Sequence, residues 1–552
     1  MPTRSLDFIR IALYAILIAL VLFLYQAYQK EHSDQSTITT TPSIQTPESS
    51  QNTIPSLPEQ VTHSHAISSA PLKKKSDSHL IHIETDVLSA DIDTVGGNFT
   101  QIKLLQYPEK LYSTEPFLLL NNTPDTRYLA QSGLISTEGP DTSETQAHYT
   151  ADKKSYTLSN DKESMEVVLH WKNNKNISVD KVLTFKKNHY DVDVNYIVHN
   201  QSAQPWDGHL YFQLLRKNSE QNAHQNGLTS TVTYFGGAIS SPDKRFQKIS
   251  FKQMGQTNLN QTITGGWAAM IQHYFVSAWI PDHQESFQYF SKVNADNLYT
   301  IGMMSAPLSS PAGMTSSFHS TFYSGPLIAD YLNPLSPTLK LSIDYGWFWF
   351  ISGIIFWMMQ HIYDVVGNWG WSIVIVTLII KLLFFHLSAK SYRSMSGMKT
   401  LQPKLVALKE RFAEDKQKLT QATIELYKKE KINPMSGCLP ILIQIPVFIG
   451  LYWVLIESVE LRQAPFILWI HDLSMKDPFY VLPLLMGLSM FLQQRLNPPS
   501  SDPTQAKIML FMPVVFTALF MNFPAGLMLY WFVNNTLSFL QQWFIMRSIN
   551  KK

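Results

Sequence analysis

The chain has 552 residues, of which 45% are hydrophobic and only 16% charged, against about 25% charged in ordinary soluble proteins. Its net charge of +2 excludes a polycation that coats nucleic acid, and its single cysteine, Cys438, excludes an intramolecular disulfide or a cysteine-based zinc cluster. Length and composition together point to a membrane protein carrying a large polar domain.

The first apolar run, Ile11 to Tyr25, follows Arg4 and Arg10, and Tyr25-Gln26-Ala27 after it is a poor cleavage site. This predicts an uncleaved signal-anchor helix over 1–30 with its N-terminus in the cytoplasm. Residues 31–78 are rich in Ser, Thr, Pro and Gln, which predicts a disordered tether. His63 and His65 inside it read as solvated linker histidines rather than metal ligands.

Over 79–344 the pattern becomes short alternating runs such as LIHIETDVLSADI (80–92), MEVVLHW (165–171), YDVDVNYIVHN (190–200) and HLYFQLL (209–215). Period-two alternation broken by Gly, Asn, Asp and Pro predicts an antiparallel β-sandwich with its own core. Residues 345–366 are apolar and rich in Trp. They are followed by a membrane helix over 367–387, a polar helical stretch over 388–434, four further membrane helices within 435–546 and a short tail, 547–552. In 388–434, Leu401, Leu405, Leu408 and Phe412, then Leu419, Ala422 and Leu426, recur at helical spacing. Two amphipathic helices turning near Ala413 to Lys416 are expected.

Charge sets the topology. Residues 388–434 hold eleven basic and five acidic groups, a net of +6, so this hairpin belongs in the cytoplasm. That requires 345–366 to lie along the outer interface as an amphipathic helix instead of spanning. The chain is then a six-span helical membrane protein with both termini cytoplasmic and the sandwich outside, in a periplasm, where a large core makes disulfides dispensable.

Lys381 lies well inside the span that starts at Trp369, and no intramembrane carboxylate is at hand to pair with it. Two readings compete: the ammonium snorkels to the inner headgroups, or it lines a water-filled recess. Thr377 one turn above, Ser388 two turns below, Gln444 in the next span and Asn534 with Asn535 in the last add polarity, although such groups also glue helices together. The apolar cores 479–492 and 508–521 hold fourteen residues each, about 21 Å of helix, short for a bilayer. A recess open to the cytoplasm beside short helices would let a polar segment of another chain start across the membrane.

The segments GNWGWSIVIVTLIIKLLFF (367–385), LQPKLVALKERFAEDKQK (401–418), NPMSGCLPILIQIPVFIGLYWVL (433–455), ELRQAPFILWIHDLS (460–474) and FPAGLMLYWFVNN (523–535) resemble the YidC/Oxa/Alb family of membrane protein insertases, Gram-negative type; GGWAAMIQHYFVSAWIP (265–281) resembles its periplasmic domain. The resemblance implies a six-span inner-membrane insertase and chaperone with a periplasmic β-super-sandwich and no enzymatic activity, metal or cofactor. It implies that nascent membrane proteins, the Sec translocon, ribosome–nascent chain complexes and the lipid bilayer are partners. It places Lys381 where the family usually has Arg, in a substrate groove with Thr377, Gln444, Asn534 and Asn535. It also brings in Tyr530 and Trp531, where the usual second member is Tyr. By the same resemblance, 388–434 helps recruit substrates. A transporter or channel with Lys381 as coupling charge is the alternative, yet no internal repeat supports it. A tethered carbohydrate enzyme would need an acid–base pair that 80–344 does not display.

Overall fold

The computed structural model describes residues 79–142, 144–218, 234–294, 296–412, 415–430, 439–497 and 503–550. The expected signal-anchor helix, the tether with its two histidines and the last two residues of the tail lie outside the described residues.

Residues 80 to 326 form two packed sheets, one of eleven strands and one of nine. The larger runs from an edge at Asn260–Thr264 to the opposite edge at Ser155–Thr157; the smaller runs from Gln247–Ser250 to Thr150–Ala151. Pairing is antiparallel as expected, except where Leu80–Glu84 lies parallel to Ser155–Thr157. The strand Ile177–Lys186 alternates strictly, burying Ile177, Val179, Lys181, Leu183 and Phe185 against the facing sheet. One core unites both inner faces around Trp206, Trp267, Trp279, Phe99 and Phe322. Two short helices, α1 (Phe251–Gln256) and α2 (Ala329–Leu335), decorate it. Ser250 and Gln253 form a reciprocal cap on the first.

The helical part comprises α3 (Trp349–Val366), α4 (Trp369–Leu383), α5 (Phe385–Thr400), α6 (Gln402–Arg411), α7 (Lys416–Lys429), α8 (Leu439–Glu457), α9 (Val481–Leu496), α10 (Pro503–Phe520) and α11 (Ala525–Asn550). Helix α3 ends at Gly367 in the left-handed conformation, φ 67°, and Asn368 then caps α4 by accepting from Trp371 N at 3.1 Å. The face of α3 bearing Ser352, Ile355 and Met359 packs inward, and Ser352 Oγ donates to Gly450 O on α8 at 3.0 Å. Trp349, Phe350, Ile354 and Trp357 are exposed on its other side, an apolar face left uncovered by the described residues. Helix α11 packs against α4, α5, α8 and α9 and is the centre of the bundle.

Two features differ from the sequence reading. The span expected over 367–387 breaks at Phe384: α4 and α5 are bent 66° apart. Gln541 on α11 donates to Phe385 O at 3.2 Å beside the break, supplying a partner for a backbone group there. Residues 388–400 therefore belong to α5, which packs on the bundle, and only α6 and α7 form the two-helix hairpin, tied by Lys404 to Glu430 at 2.6 Å. Among the described residues no single helix is long and apolar enough to cross a membrane; the bent pair α4–α5 reaches that length and composition only when its two helices are taken together.

The sandwich and the bundle are joined by the end of α8, the connection between α8 and α9, and the segment that leads into α3. Val459 enters the sandwich core, Lys248 pairs with Asp344, and Arg462 donates to Pro108 O at 2.7 Å and Glu109 O at 3.0 Å. His273 Nε2 donates to Ile456 O at 2.9 Å. Burial, aided by the charge of Arg462 and opposed by that bond, pushes the imidazole down to about 4 from its ordinary 6.5. The folded chain keeps His273 neutral where the unfolded chain protonates, so its contribution is present above about 6.5 and is lost as pH falls toward about 4. We expect His273→Gln to flatten the fall in unfolding midpoint across that window relative to the parent, read by chaotrope titration in detergent. An unchanged pH slope would show that the junction does not depend on this imidazole.

Candidate functional site

Several buried polar residues of the bundle collect on one side of it. Along α11, Leu527, Met528, Leu529 and Tyr530 pack into an apolar cluster with Ile373, Val376, Leu451, Val454 and Leu455. Beyond them the buried residues of the same helix become Asn534, Asn535, Ser538 and Gln542. Tyr530, Asn534, Ser538 and Gln542 follow one another at four-residue steps and so share a face. Helix α4 makes the same change, from Ile373 and Val376 to Thr377 and Lys381.

Lys381 is 8% exposed, and its ammonium donates to Ser538 Oγ at 2.6 Å. Ser538 Oγ in turn donates to Asn534 O at 2.7 Å. No carboxylate among the described residues compensates the ammonium. An ammonium has three donors, so with one directed at Ser538 the others remain for water or a guest carbonyl. Lys381 also occupies the last turn of α4, where the helix dipole favours a cation. Helix α5 brings Ser388, Ser391, Tyr392 and Ser396 to the buried side of the break, and Tyr392 faces the Ser538 hydroxyl.

The other predicted residues divide. Asn535 Nδ2 donates to Ser489 Oγ on α9 at 3.4 Å, extending the polar zone toward the short helices. Thr377 is buried, with its hydroxyl returned to its own helix at Ile373 O, 2.6 Å away. Tyr530 and Trp531 sit among rings: Trp531 lies 4.6 Å from Phe448 and 4.5 Å from Phe520, centroid to centroid. Gln444 is half-buried on α8. Thus Lys381, Asn534 and Asn535 come to the polar zone, Thr377 borders it, and the aromatic pair forms part of its apolar roof.

Sequence reading missed Ser538, Ser489, Tyr392 and Gln542. Gln542 donates to Asn497 Oδ1 at 3.1 Å, and its own Oε1 is buried without a hydrogen-bond partner among the described residues. The four-residue step from Tyr530 to Gln542 was the available signal.

Fold and site together define a class: an apolar helical bundle with a buried cation, Lys381, that no carboxylate among the described residues pairs, carrying a large β-sandwich. Residues 80–358 match the family model described as the YidC periplasmic domain, and residues 361–552 match that of the 60Kd inner membrane protein. Membrane protein insertase YidC of Pseudomonas entomophila (strain L48) is 48% identical over 481 residues, 87% of this chain and 85% of that one. The Pseudomonas syringae pv. syringae (strain B728a) protein of the same name is 48% identical over 484 residues, 87% and 86% of the two chains. The chain therefore belongs to the YidC membrane protein insertase family. A crystal structure of an active YidC insertase is similar over 85% of this chain and 93% of that one, at 18% identity and a TM-score of 0.38. A galactose mutarotase related enzyme from Lactobacillus acidophilus is similar over 44% of this chain and 97% of its own, at 11% identity and a TM-score of 0.31. The transporter alternative finds no support among these relatives.

Proposed function

We propose that this chain inserts nascent inner-membrane proteins into the bilayer, and that the polar zone around Lys381 is where a guest segment first leaves water. The observation that carries the reading is the direction of Lys381: it turns inward onto Ser538 rather than outward to headgroups. In a bundle interior a cation flanked by hydroxyls and amides lowers the cost of bringing a peptide's polar groups below the membrane surface. The groove we assign consists of Lys381, Asn534, Asn535 and Ser538, bordered by Thr377, Gln444, Tyr530 and Trp531.

In this reading the chain has six spans and cytoplasmic termini, with a signal anchor over 1–30 and a tether over 31–78. The sandwich lies in the periplasm, and α3 lies flat in the outer interface with Trp349 and Trp357 toward lipid. The bent pair α4–α5 leads to the basic hairpin α6–α7, which receives nascent chains from ribosomes on the cytoplasmic side. Clients pass either directly or from the Sec translocon. The surplus of basic residues over 388–434 supports that orientation.

The test is site-specific photocrosslinking with a stalled, ribosome-bound membrane protein. Probes at Ser538, Thr377, Gln444 and Trp531 are expected to capture the nascent chain, and a probe at Phe511 on the exposed face of α10 is expected to capture lipid. Lipid capture alone at all four interior positions would reject the groove and leave the polar groups as helix-to-helix glue.

A further inference from the structure

We propose that the hairpin tip Lys110-Leu111-Tyr112 of the sandwich is a membrane anchor, seated in the headgroup and acyl boundary of the leaflet on the sandwich's side of the bundle. The hairpin joins strands Asn98–Pro108 and Pro116–Leu120 and is closed by Glu109 N to Glu115 O at 2.9 Å and Ser113 N to Lys110 O at 3.0 Å. It reaches down to the connection between α8 and α9. Arg462 holds the carbonyls of Pro108 and Glu109, Gln463 Nε2 donates to Pro108 O at 3.3 Å, and the Tyr112 ring meets His471 edge-on at 5.5 Å. The tip is thereby fixed at the rim of the bundle.

At that rim the chain exposes bulky apolar residues in strained conformations. Tyr112 is 76% exposed with φ 65°, and Leu468, three residues before His471, is 74% exposed with φ 55°. A bulky residue in the left-handed region is an outlier, and here neither gains burial within the chain. Leu111, Ile467, Met475 and Phe479 are exposed on the same two segments.

Continuity with the bundle surface identifies the occupant as lipid. Trp371, exposed on the first turn of α4, packs edge-on against Phe466 at 5.4 Å, two residues from Leu468. The segment Phe466–His471, with Ile467 and Leu468 exposed along it, thus links the Tyr112–His471 contact to the first turn of α4. The composition of the tip fits as well: a lysine whose stem covers apolar surface while its ammonium seeks phosphate, an aliphatic residue, and a phenol that prefers the interface. With the exposed face of α3, the hairpin supplies the sandwich with a second point of attachment that restrains its tilt over the bundle.

The experiment uses the full chain with Cys438→Ser, reconstituted in vesicles of phosphatidylcholine and phosphatidylglycerol and spin-labelled through Tyr112→Cys or, separately, Leu111→Cys. A label at Met314→Cys is the reference. Met314 is exposed beside the start of strand Thr315–Pro326, whose other end meets the junction with the bundle, about 40 Å away. The ratio of oxygen to nickel-chelate accessibility in vesicles is expected to be several-fold higher at 111 and 112 than at 314. Equal ratios in vesicles would overturn the proposal. So would labels that stay water-exposed in vesicles and become shielded only when a second protein is added, since the surface would then belong to a protein partner.

Discussion

Lys381→Ala is expected to reduce insertion of small membrane proteins roughly tenfold or more, because a hydrogen bond from a charged group contributes about 1.5–3 kcal/mol and 1.4 kcal/mol is a factor of ten. Lys381→Arg is expected to retain most activity. The guanidinium keeps the charge and its added donors suit carbonyls and hydroxyls, although it must fit where the ammonium now lies 2.6 Å from Ser538 Oγ. Ser538→Ala removes that partner without removing the charge, so it should cost less than Lys381→Ala. The measurement is protease protection of a newly made single-span client in cells whose only insertase is the variant, at matched expression. Equal insertion by the Ala and Arg variants would show that the buried charge has no part in the process. The order Ala below Ser538→Ala below parent is the specific expectation, since it separates the cation from the hydrogen bond it happens to make.

The second large effect lies in the sandwich. Lys181 is fully buried between the sheets, and its ammonium donates to Gly97 O at 2.8 Å, Ser132 O at 3.1 Å and Ser132 Oγ at 3.0 Å. Tyr196 donates to the same hydroxyl at 2.9 Å, and the Asp141 carboxylate is close enough to offset part of the burial cost. Burial holds Lys181 well below the ordinary amine range and Asp141 well above the ordinary carboxylate range, each eased by the other's charge. Lys181→Met should therefore destabilise the sandwich by about 3 kcal/mol, by taking a donor from the carbonyls of Gly97 and Ser132 and leaving Asp141 without its cation, while Ser132 Oγ keeps the bond from Tyr196. Adding Asp141→Asn, which keeps the acceptor for Ala147 N at 2.8 Å, should recover most of that loss. A buried ion pair is often replaceable as a unit even though neither member is replaceable alone.

The sign of the pH dependence follows from the same burial. Above neutrality the folded chain releases the Lys181 proton while the unfolded chain keeps it, so stability contributed by this site rises with pH up to the ordinary amine range. Between the ordinary carboxylate range and neutrality the folded chain holds a proton on Asp141 that the unfolded chain has lost, so there the contribution falls as pH rises. Chaotrope titrations of the full chain in detergent, followed by tryptophan fluorescence, read both effects. A Lys181→Met variant as stable as the parent, with an unchanged alkaline slope, would refute this account.

Much of this molecule was legible in one dimension. Alternation over 79–344 foretold the two sheets because a strand with one face in a core must alternate: the runs 165–171 and 209–215 lie inside the strands 164–172 and 206–217, the run 190–200 matches the strand 191–200 to within a residue, and the run 80–92 divides into two strands, 80–84 and 88–93. The boundary read at 366/367 falls where α3 ends, although Gly367 and Asn368, placed in the expected helix 367–387, prove to be the left-handed terminator of α3 and the cap of α4. The break at Phe384 was not legible. Nothing between Trp369 and Phe385 disfavours a helix strongly, and the bend is set by how α5 packs against α11. For the same reason 388–400 read as part of the hairpin when it is part of the bundle.

Lys181 illustrates a different failure. It occupies an inward position of a strictly alternating strand among Ile177, Val179, Leu183 and Phe185. The pattern put a charge in a core, but a single lysine in a β-run is usually assumed to face water.

What the amino-acid order decided alone was the kind of molecule: apolar helices with a basic hairpin, a sandwich beside them, and an ammonium stranded deep in a helix. Those properties depend on neighbours within a few residues, and local spacing encodes them. What the tertiary structure decided was where that ammonium turns and what meets it. Its partner Ser538 is 157 residues away, and the partners of Lys181 at Gly97 and Ser132 are 84 and 49 residues away. Such meetings are set by the packing of whole faces. The periodicity of a helix or strand shows which face is buried but carries no record of which other face will cover it.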